Sequence, residues 1–534
     1  MGIPSYFSKI IKEYAAIIRN MNILKDVSFD HCFMDCNSII YDCVHELDQS
    51  MDKSIFEKTL VENVIQKIKY YAELIKPSKT LYIAFDGVAP FAKMEQQRTR
   101  RYKTYFTSTL SFTNEPNKDK WNTSAITPGT EFMKYLSEQI QYAFSYLENT
   151  YQIQNIIVSS SDECGEGEHK LFEYVRSQDF KQDNVFLYGL DSDLIMLSIY
   201  HLKYCKNIYI FREAPEFIKN ALPIAVKENN DTDIYFLDIF HLANCIIQNM
   251  SCVDKKIERA YDYIFLCFLL GNDFLPHFPA MNIRSHGIDT LLSIYKNTIG
   301  NSRDSYLINK NGNINWKNVR TILTEISKNE TTFIQKEYSS RNRFDNYKYA
   351  ETTTKEKELL FQNTPIIYRQ QEKYINPNIE FWESRYYKSL FNQYPTKEFI
   401  SEVATNYLEG LEWVYKYYTK GCVDWKWKYK YHYPPLFVDL VKQVPHFAMD
   451  FLKEKPKMPF CPEVQLCYVL PSPSHFLLPT RIQTFIANNY KELYPDHYTF
   501  EWAFCRYFWE SHPMLPTIPV TLLECWNTQF LLHR

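Results

Sequence analysis

Acidic residues in this chain recur where short apolar runs end. Val185-Phe186-Leu187-Tyr188 reads as a buried strand that Gly189 breaks, and Leu194–Leu197 as the start of a helix. Asp191 and Asp193 sit in the turn between them. Two ionised carboxylates this close repel each other and need a counter-charge, most simply a divalent cation. The alternative is that one Asp caps the helix. His31-Cys32-Phe33-Met34 leads into Asp35 in the same way, and Leu81–Phe85 leads into Asp86, where Gly87 permits a tight turn. A fourth such segment, Asn155–Val158, precedes Glu166 and Glu168. These two share no face inside a regular helix, but at a helix N-terminus both can point at one ion. Capping by one of them is again the alternative. Asp273 follows the apolar helix expected over Tyr261–Leu270, which Gly271 closes in the C′ position. In open α/β sheets ligands bind beyond the carboxyl ends of the strands, so three strand-terminal Asp residues favour a metal site over three unrelated caps.

Basic residues follow the second acid. Lys93, Gln97, Arg100 and Arg101 share a face at i, i+4, i+7 and i+8, and only Glu95 balances the cations from Lys93 to Lys103. Arginine forks and a lysine beside an acidic metal site suit a terminal phosphate; the plainer reading is a solvated helix face. Farther on, Trp425, Trp427 and the tyrosines around them alternate with lysines from Lys416 to Lys430. That pattern fits a stacking platform for single-stranded bases, and equally an aromatic packing layer with its lysines in water.

The elements that must position these groups are strands near 31–35, 80–85, 155–158, 185–188, 208–211 and 234–237, alternating with helical patterns that include residues 1–20, 38–45 and 55–75. That order implies an α/β fold: a Rossmann-like mixed or parallel sheet flanked by helices, with a largely helical second region. The 534 residues suffice for two to four domains. A net charge of −3 excludes a global basic field, so nucleic-acid contacts must be local. Thirteen scattered cysteines without a Cys-x-x-Cys pair read as thiols of a reducing compartment. Residues 1–20 lack an apolar signal core, Tyr6 stands where myristoylation expects Ser or Thr, and Ile264–Leu270 is too short to span a bilayer, so no membrane role is expected. Residues 284–391 are polar and expected to be helical connections without chemistry.

The chain resembles the XRN family of 5′→3′ exoribonucleases. The motifs that carry this are Met1–Pro4, Phe85–Pro90 with Lys93–Arg101, Ile126–Met133, Gly165–Lys170, Tyr188–Leu197, Gly271–His277 and Trp425–Pro435. The resemblance implies a PIN/5′-nuclease-like catalytic region over 1–290, a variable connecting region over 291–395 and a second conserved helical region over 396–534. It implies that Asp35, Asp86, Glu166, Glu168, Asp191, Asp193 and Asp273 bind two Mg²⁺ or Mn²⁺ ions, about 3.5–4 Å apart in two-metal sites. Lys93, Gln97, Arg100 and Arg101 would take the 5′-monophosphate of single-stranded RNA, which is peeled processively into mononucleotides. Tyr41, where the family usually has His, and Trp425 or Trp427 would stack on the terminal bases. Cys164 stands where the family often has Pro, which is expected to loosen that turn, and the chain is expected to lack the long C-terminal extension of the large members. A cytoplasmic monomer is expected, with a nuclear location compatible. The competing expectations are a structure-specific 5′ flap nuclease acting on DNA and a catalytically inactive RNA-binding scaffold. The aromatic block argues against the first and the retained acids against the second.

Overall fold

Alternating apolar residues build the central sheet. Its seven strands are β1 (Ile18–Arg19), β2 (His31–Asp35), β3 (Thr80–Ala84), β4 (Asn155–Ser159), β5 (Phe180–Tyr188), β6 (Cys205–Glu213) and β7 (Ile234–Asp238), in the order β1-β7-β6-β5-β2-β3-β4. The computed structural model describes residues 3, 5–110, 121–189, 191–213, 224–227, 232 and 234–532. Strands β4, β3, β2, β5 and β6 are parallel, and β7 and β1 complete one edge antiparallel. The sheet is therefore mixed and helix-flanked, as the element order requires.

Each central strand feeds two cores. Phe33, Val185, Leu187, Ile208 and Ile210 join one cluster, while Cys32, Met34, Phe186, Tyr188, Tyr209 and Phe211 join the other. Helices Asn37–Glu46, Lys53–Ile75 and Glu131–Phe144 cover the second face. The first face is covered by Tyr6–Glu13, Gly167–Ser177 and Asp193–His201, and its cluster continues into the second region as far as Val444.

The N-terminal reading needs correction. The helix ends at Glu13; a 3₁₀ turn over Ala15–Ile17 follows, and Ile18–Arg19 pairs with Leu237 and Phe236. Helical spacing of isoleucines cannot reveal an edge strand whose partner lies in a distant part of the chain. Met1, Gly2, Pro4 and Leu190, which belong to quoted motifs, lie outside the described residues. Strand β5 begins at Phe180, earlier than its apolar run, with a register shift between Phe180 and Asn184 against β6.

The middle of the chain is helical, but its interior is not inert. Arg341 makes a two-pronged bond to Glu372 at 2.9 and 2.7 Å, Arg369 donates to the same carboxylate at 2.7 Å, and all three are buried. Glu372 also accepts from Phe504 N at 2.9 Å, which ties these helices to the C-terminal segment. Among the described residues no helix is long and apolar enough to cross a membrane.

Candidate active site

Strand β2 neighbours both β3 and β5, because the chain winds outward through β3 and β4 and then crosses to the other side of β2. The acids gather beyond the carboxyl ends of these strands, at that switch point. Asp35 is the last residue of β2, Asp86 lies just past β3, and Asp191 and Asp193 follow β5. Glu166 and Glu168 flank the start of the Gly167–Ser177 helix. Neither capping alternative is realised: Glu166 at the N-cap makes no side-chain cap bond, and Ser192, not an Asp, occupies the N-cap of the Asp193–His201 helix.

Close main-chain approach draws the acids together. Gly167 N donates to Asp86 Oδ1 at 2.7 Å, and a methyl group on Gly167 would lie 2.6 Å from Asp35 Oδ1. Asn37 holds Asp86 through Nδ2 to Oδ2 at 2.6 Å and accepts its N–H at 3.0 Å. Lys170 Nζ donates to the carbonyls of Phe85 and Ser160, both at 2.8 Å. The turn containing Cys164 is not loose: Gly165 N donates to Val88 O and Gly87 N to Gly165 O, each at 2.8 Å. Gly271 has φ +84°, which lets the helix before it stop and presents Asp273.

Burial and mutual repulsion dominate the electrostatics. Burial, reinforced by Asp86 and Asp191, lifts Asp35 well above the carboxylate range. Burial with Glu166 does the same to Glu168, and burial pushes Asp193 up to about 7. Asp273 moves the other way: burial would raise it, but the surrounding cations, Lys93 foremost and Arg100 among them, together hold it below its ordinary value.

Lys93 therefore belongs to the acid cluster. Its Nζ lies 2.6 Å from Glu166 Oε2 and 2.9 Å from Asp273 Oδ2. The expected phosphate set divides accordingly. Arg100 and Arg101 line a cavity of about 290 Å³ with Tyr41, Thr104, Thr123 and Ser124. Arg101 Nη2 donates to Thr127 Oγ1 at 2.5 Å. Gln97 is buried and accepts from Gln465 Nε2 at 3.2 Å. The physical reason is distance: Lys93 and Arg100 share a face but are about 10 Å apart along the axis, and the lysine arm turns to the strongest local negative charge. Arg100 also walls a larger cavity, about 1410 Å³, which reaches Asp273 and is lined by Lys103, His277, Lys428 and Trp509 among others.

Neither Trp425 nor Trp427 lines the cavity that holds Tyr41. Both are buried, Trp427 stacking on Trp413 at 5.4 Å. Three lysines of the block are ion-paired: Lys426 with Glu524, Lys428 with Glu95 and Lys430 with Glu402. The packing alternative holds for this part of the block. Sequence reasoning missed Asn37, Gln465, Tyr417 and Tyr418, all of which contact site residues. Nothing in their spacing marks them, because their partners are brought close only by the fold.

A divalent cation fits this donor set. Asp35 Oδ1 and Asp193 Oδ1 are buried without a hydrogen-bond partner, and Lys93 pairs with two of the seven acids, Glu166 and Asp273. Among the described residues, no group of three acids is drawn close enough to grip an ion as it stands.

A mixed sheet whose parallel strands bring acids to its switch point, beside an arginine-lined pocket, defines an acid-lined α/β site of the hydrolase kind. Family models agree with that class. Residues 1–214 match the XRN 5′-3′ exonuclease N-terminus, and residues 254–380 and 378–525 match the Xrn1 helical domain. The chain belongs to the XRN 5′-3′ exonuclease family. It is 26% identical to the 5′-3′ exoribonuclease 2 homolog of Drosophila melanogaster, over 97% of this chain and 70% of that protein. It is 28% identical to 5′-3′ exoribonuclease 1 of Schizosaccharomyces pombe, over 98% of this chain and 48% of that one. With human 5′-3′ exoribonuclease 1 the identity is 27%, over 99% of this chain but 34% of the relative. Among solved structures, the catalytic core of Rad2 in complex with DNA substrate is a distant likeness, with TM-score 0.35 and 15% identity over 83% of this chain and 94% of that one.

Proposed function

We propose that this chain is a 5′→3′ exoribonuclease that hydrolyses single-stranded RNA from a 5′-monophosphate end, one nucleotide at a time, with Mg²⁺ or Mn²⁺ as cofactor. The observation that carries the reading is the adjacency of the acid cluster to the Tyr41–Arg100–Arg101 cavity, in a chain of this family. Asp35, Asp86, Glu166, Glu168, Asp191, Asp193 and Asp273 would hold two ions. When bound, such ions activate a water and neutralise the leaving 3′-oxygen.

The chain's own groups do the rest. The guanidinium groups of Arg100 and Arg101 take the terminal phosphate, and Tyr41 offers a ring to the first base. Lys93 pairs with Glu166 and favours the ionised form of Asp273, which lies below its ordinary value. The terminal phosphate held in this way sets the distance to the first internucleotide bond, and each cut leaves a new 5′-phosphate for the same pocket. All thirteen cysteines are free, which supports a reducing, cytoplasmic setting.

The test uses RNA labelled at its 3′ end and carrying a 5′-monophosphate, hydroxyl or triphosphate, with and without Mg²⁺. Metal-dependent loss of the monophosphate species alone, with mononucleotide products, is expected. Binding without cleavage would favour a scaffold, and cutting of branched DNA alone a flap nuclease.

A further inference from the structure

Tyr417 and Tyr418 end the long helix Lys397–Thr419 of the second region, and both are buried. The Tyr417 hydroxyl donates to Glu166 Oε1 at 2.6 Å, across 251 residues of sequence. The other oxygen of that carboxylate, Oε2, holds Lys93 at 2.6 Å. A phenol of one region thus reaches an acid of the other.

The Tyr417 ring is itself fixed. It lies between His169, stacked at 3.6 Å and 21°, and Trp413, stacked at 4.7 Å and 30°. Trp413 stacks in turn on Trp427 at 5.4 Å and 23°. The column is pinned at its edges: Trp413 Nε1 donates to Asp424 O at 2.9 Å and Trp427 Nε1 to Glu409 Oε2 at 3.3 Å. Stacked rings of this kind hold a phenol in one orientation, so its hydroxyl has one place to point. A glutamate has several rotamers to lose before it can act as a ligand, and an outer hydrogen bond removes that freedom in advance.

We propose that Tyr417 is a positioning residue that aims Glu166 at a divalent cation, with the His169–Tyr417–Trp413–Trp427 column as its support. The inference rests on the metal-dependent reading above. It gives Trp427 a role as the far ring of that column.

The experiment is Mn²⁺ titration of the full chain followed by electron paramagnetic resonance, with a thermal melt of each protein. The variants are Tyr417→Phe, Trp427→Leu, which removes the far ring of the column, and, as the comparison, Tyr415→Phe, whose hydroxyl donates to Gly312 O at 3.0 Å away from the acids. Loss of an outer partner costs about 10- to 100-fold in metal affinity. Tyr417→Phe is expected to lose at least about tenfold, at unchanged melting temperature, and Trp427→Leu to weaken binding in the same direction, while Tyr415→Phe keeps wild-type affinity. Should Tyr417→Phe not fold, Trp427→Leu carries the test. Equal Mn²⁺ affinity in wild type and both variants overturns the positioning role and leaves the metal reading standing. A wild-type chain that binds no Mn²⁺ overturns both.

Discussion

Replacing a single acid separates catalysis from stability at this site. Burial, Asp86 and Asp191 push Asp35 up, so removing its charge relieves strain in the folded chain. Asp191→Ala and Asp35→Asn are expected to lower cleavage by more than about a hundredfold, beyond the usual cost of losing an outer partner, with the Asp35→Asn melting temperature equal to or above wild type. Activity assays beside thermal melts check this; a variant that keeps its activity would sink the assignment. Arg101→Ala is expected to spare the acid site and to erase the preference for monophosphate over hydroxyl ends, read from the ratio of the two cleavage rates. The acids were legible in the sequence because each closes an apolar run whose type is plain. Helix spacing places Lys93 on a face with Arg100, but it cannot show which opposite charges a flexible arm will meet, and in this structure Lys93 pairs with Glu166 and Asp273. The packing of Trp425 and Trp427 was not legible for a related reason: interleaved aromatics look alike in sequence whether they face a cavity or one another.

Two elements translate strand order into a working site. The Gly167–Ser177 helix begins so near β2 that its first residue has no room for a side chain, with Asp35 Oδ1 2.6 Å from where a methyl would stand. Gly167→Ala is therefore expected to displace Asp35 and to abolish cleavage with little change in far-UV circular dichroism. The other element is the Phe91–Thr109 helix, which ties the two regions together. Phe91 N donates to Trp425 O at 2.9 Å, and Glu95 is bound by Lys428 and by the Tyr468 hydroxyl. Burial alone would raise Glu95, but Lys428 and Tyr468 outweigh it and bring it from 4.5 to about 2. Because the folded value is depressed, this carboxylate stabilises the chain fully above about pH 4.5, and the contribution disappears as pH falls towards 2. Melts of wild type and Glu95→Gln should differ by a constant amount above pH 4.5 and converge below it. A gap that widens in acid would contradict the assignment.

Across the whole molecule, one apolar cluster runs from Ile3 through the sheet to Val444. Unfolding is accordingly expected to be a single transition, coincident by near-ultraviolet circular dichroism and by tryptophan fluorescence. Residues 284–391, which read as plain connections, contribute the Arg341–Glu372–Arg369 network to that unit. Removing one partner leaves buried charge uncompensated, so Glu372→Ala should cost about 3–5 kcal/mol, measured by denaturant titration. No local pattern announces this network, since its members are brought together by packing. The long reach of the Tyr417–Glu166 bond has a consequence for synthesis. Chains fold from the N-terminus as they emerge, yet Asp273 and then Tyr417 leave the ribosome long after Asp35 and Asp86. An enzyme of this kind, made on the very class of molecule it destroys, stays toothless while its own message is being read.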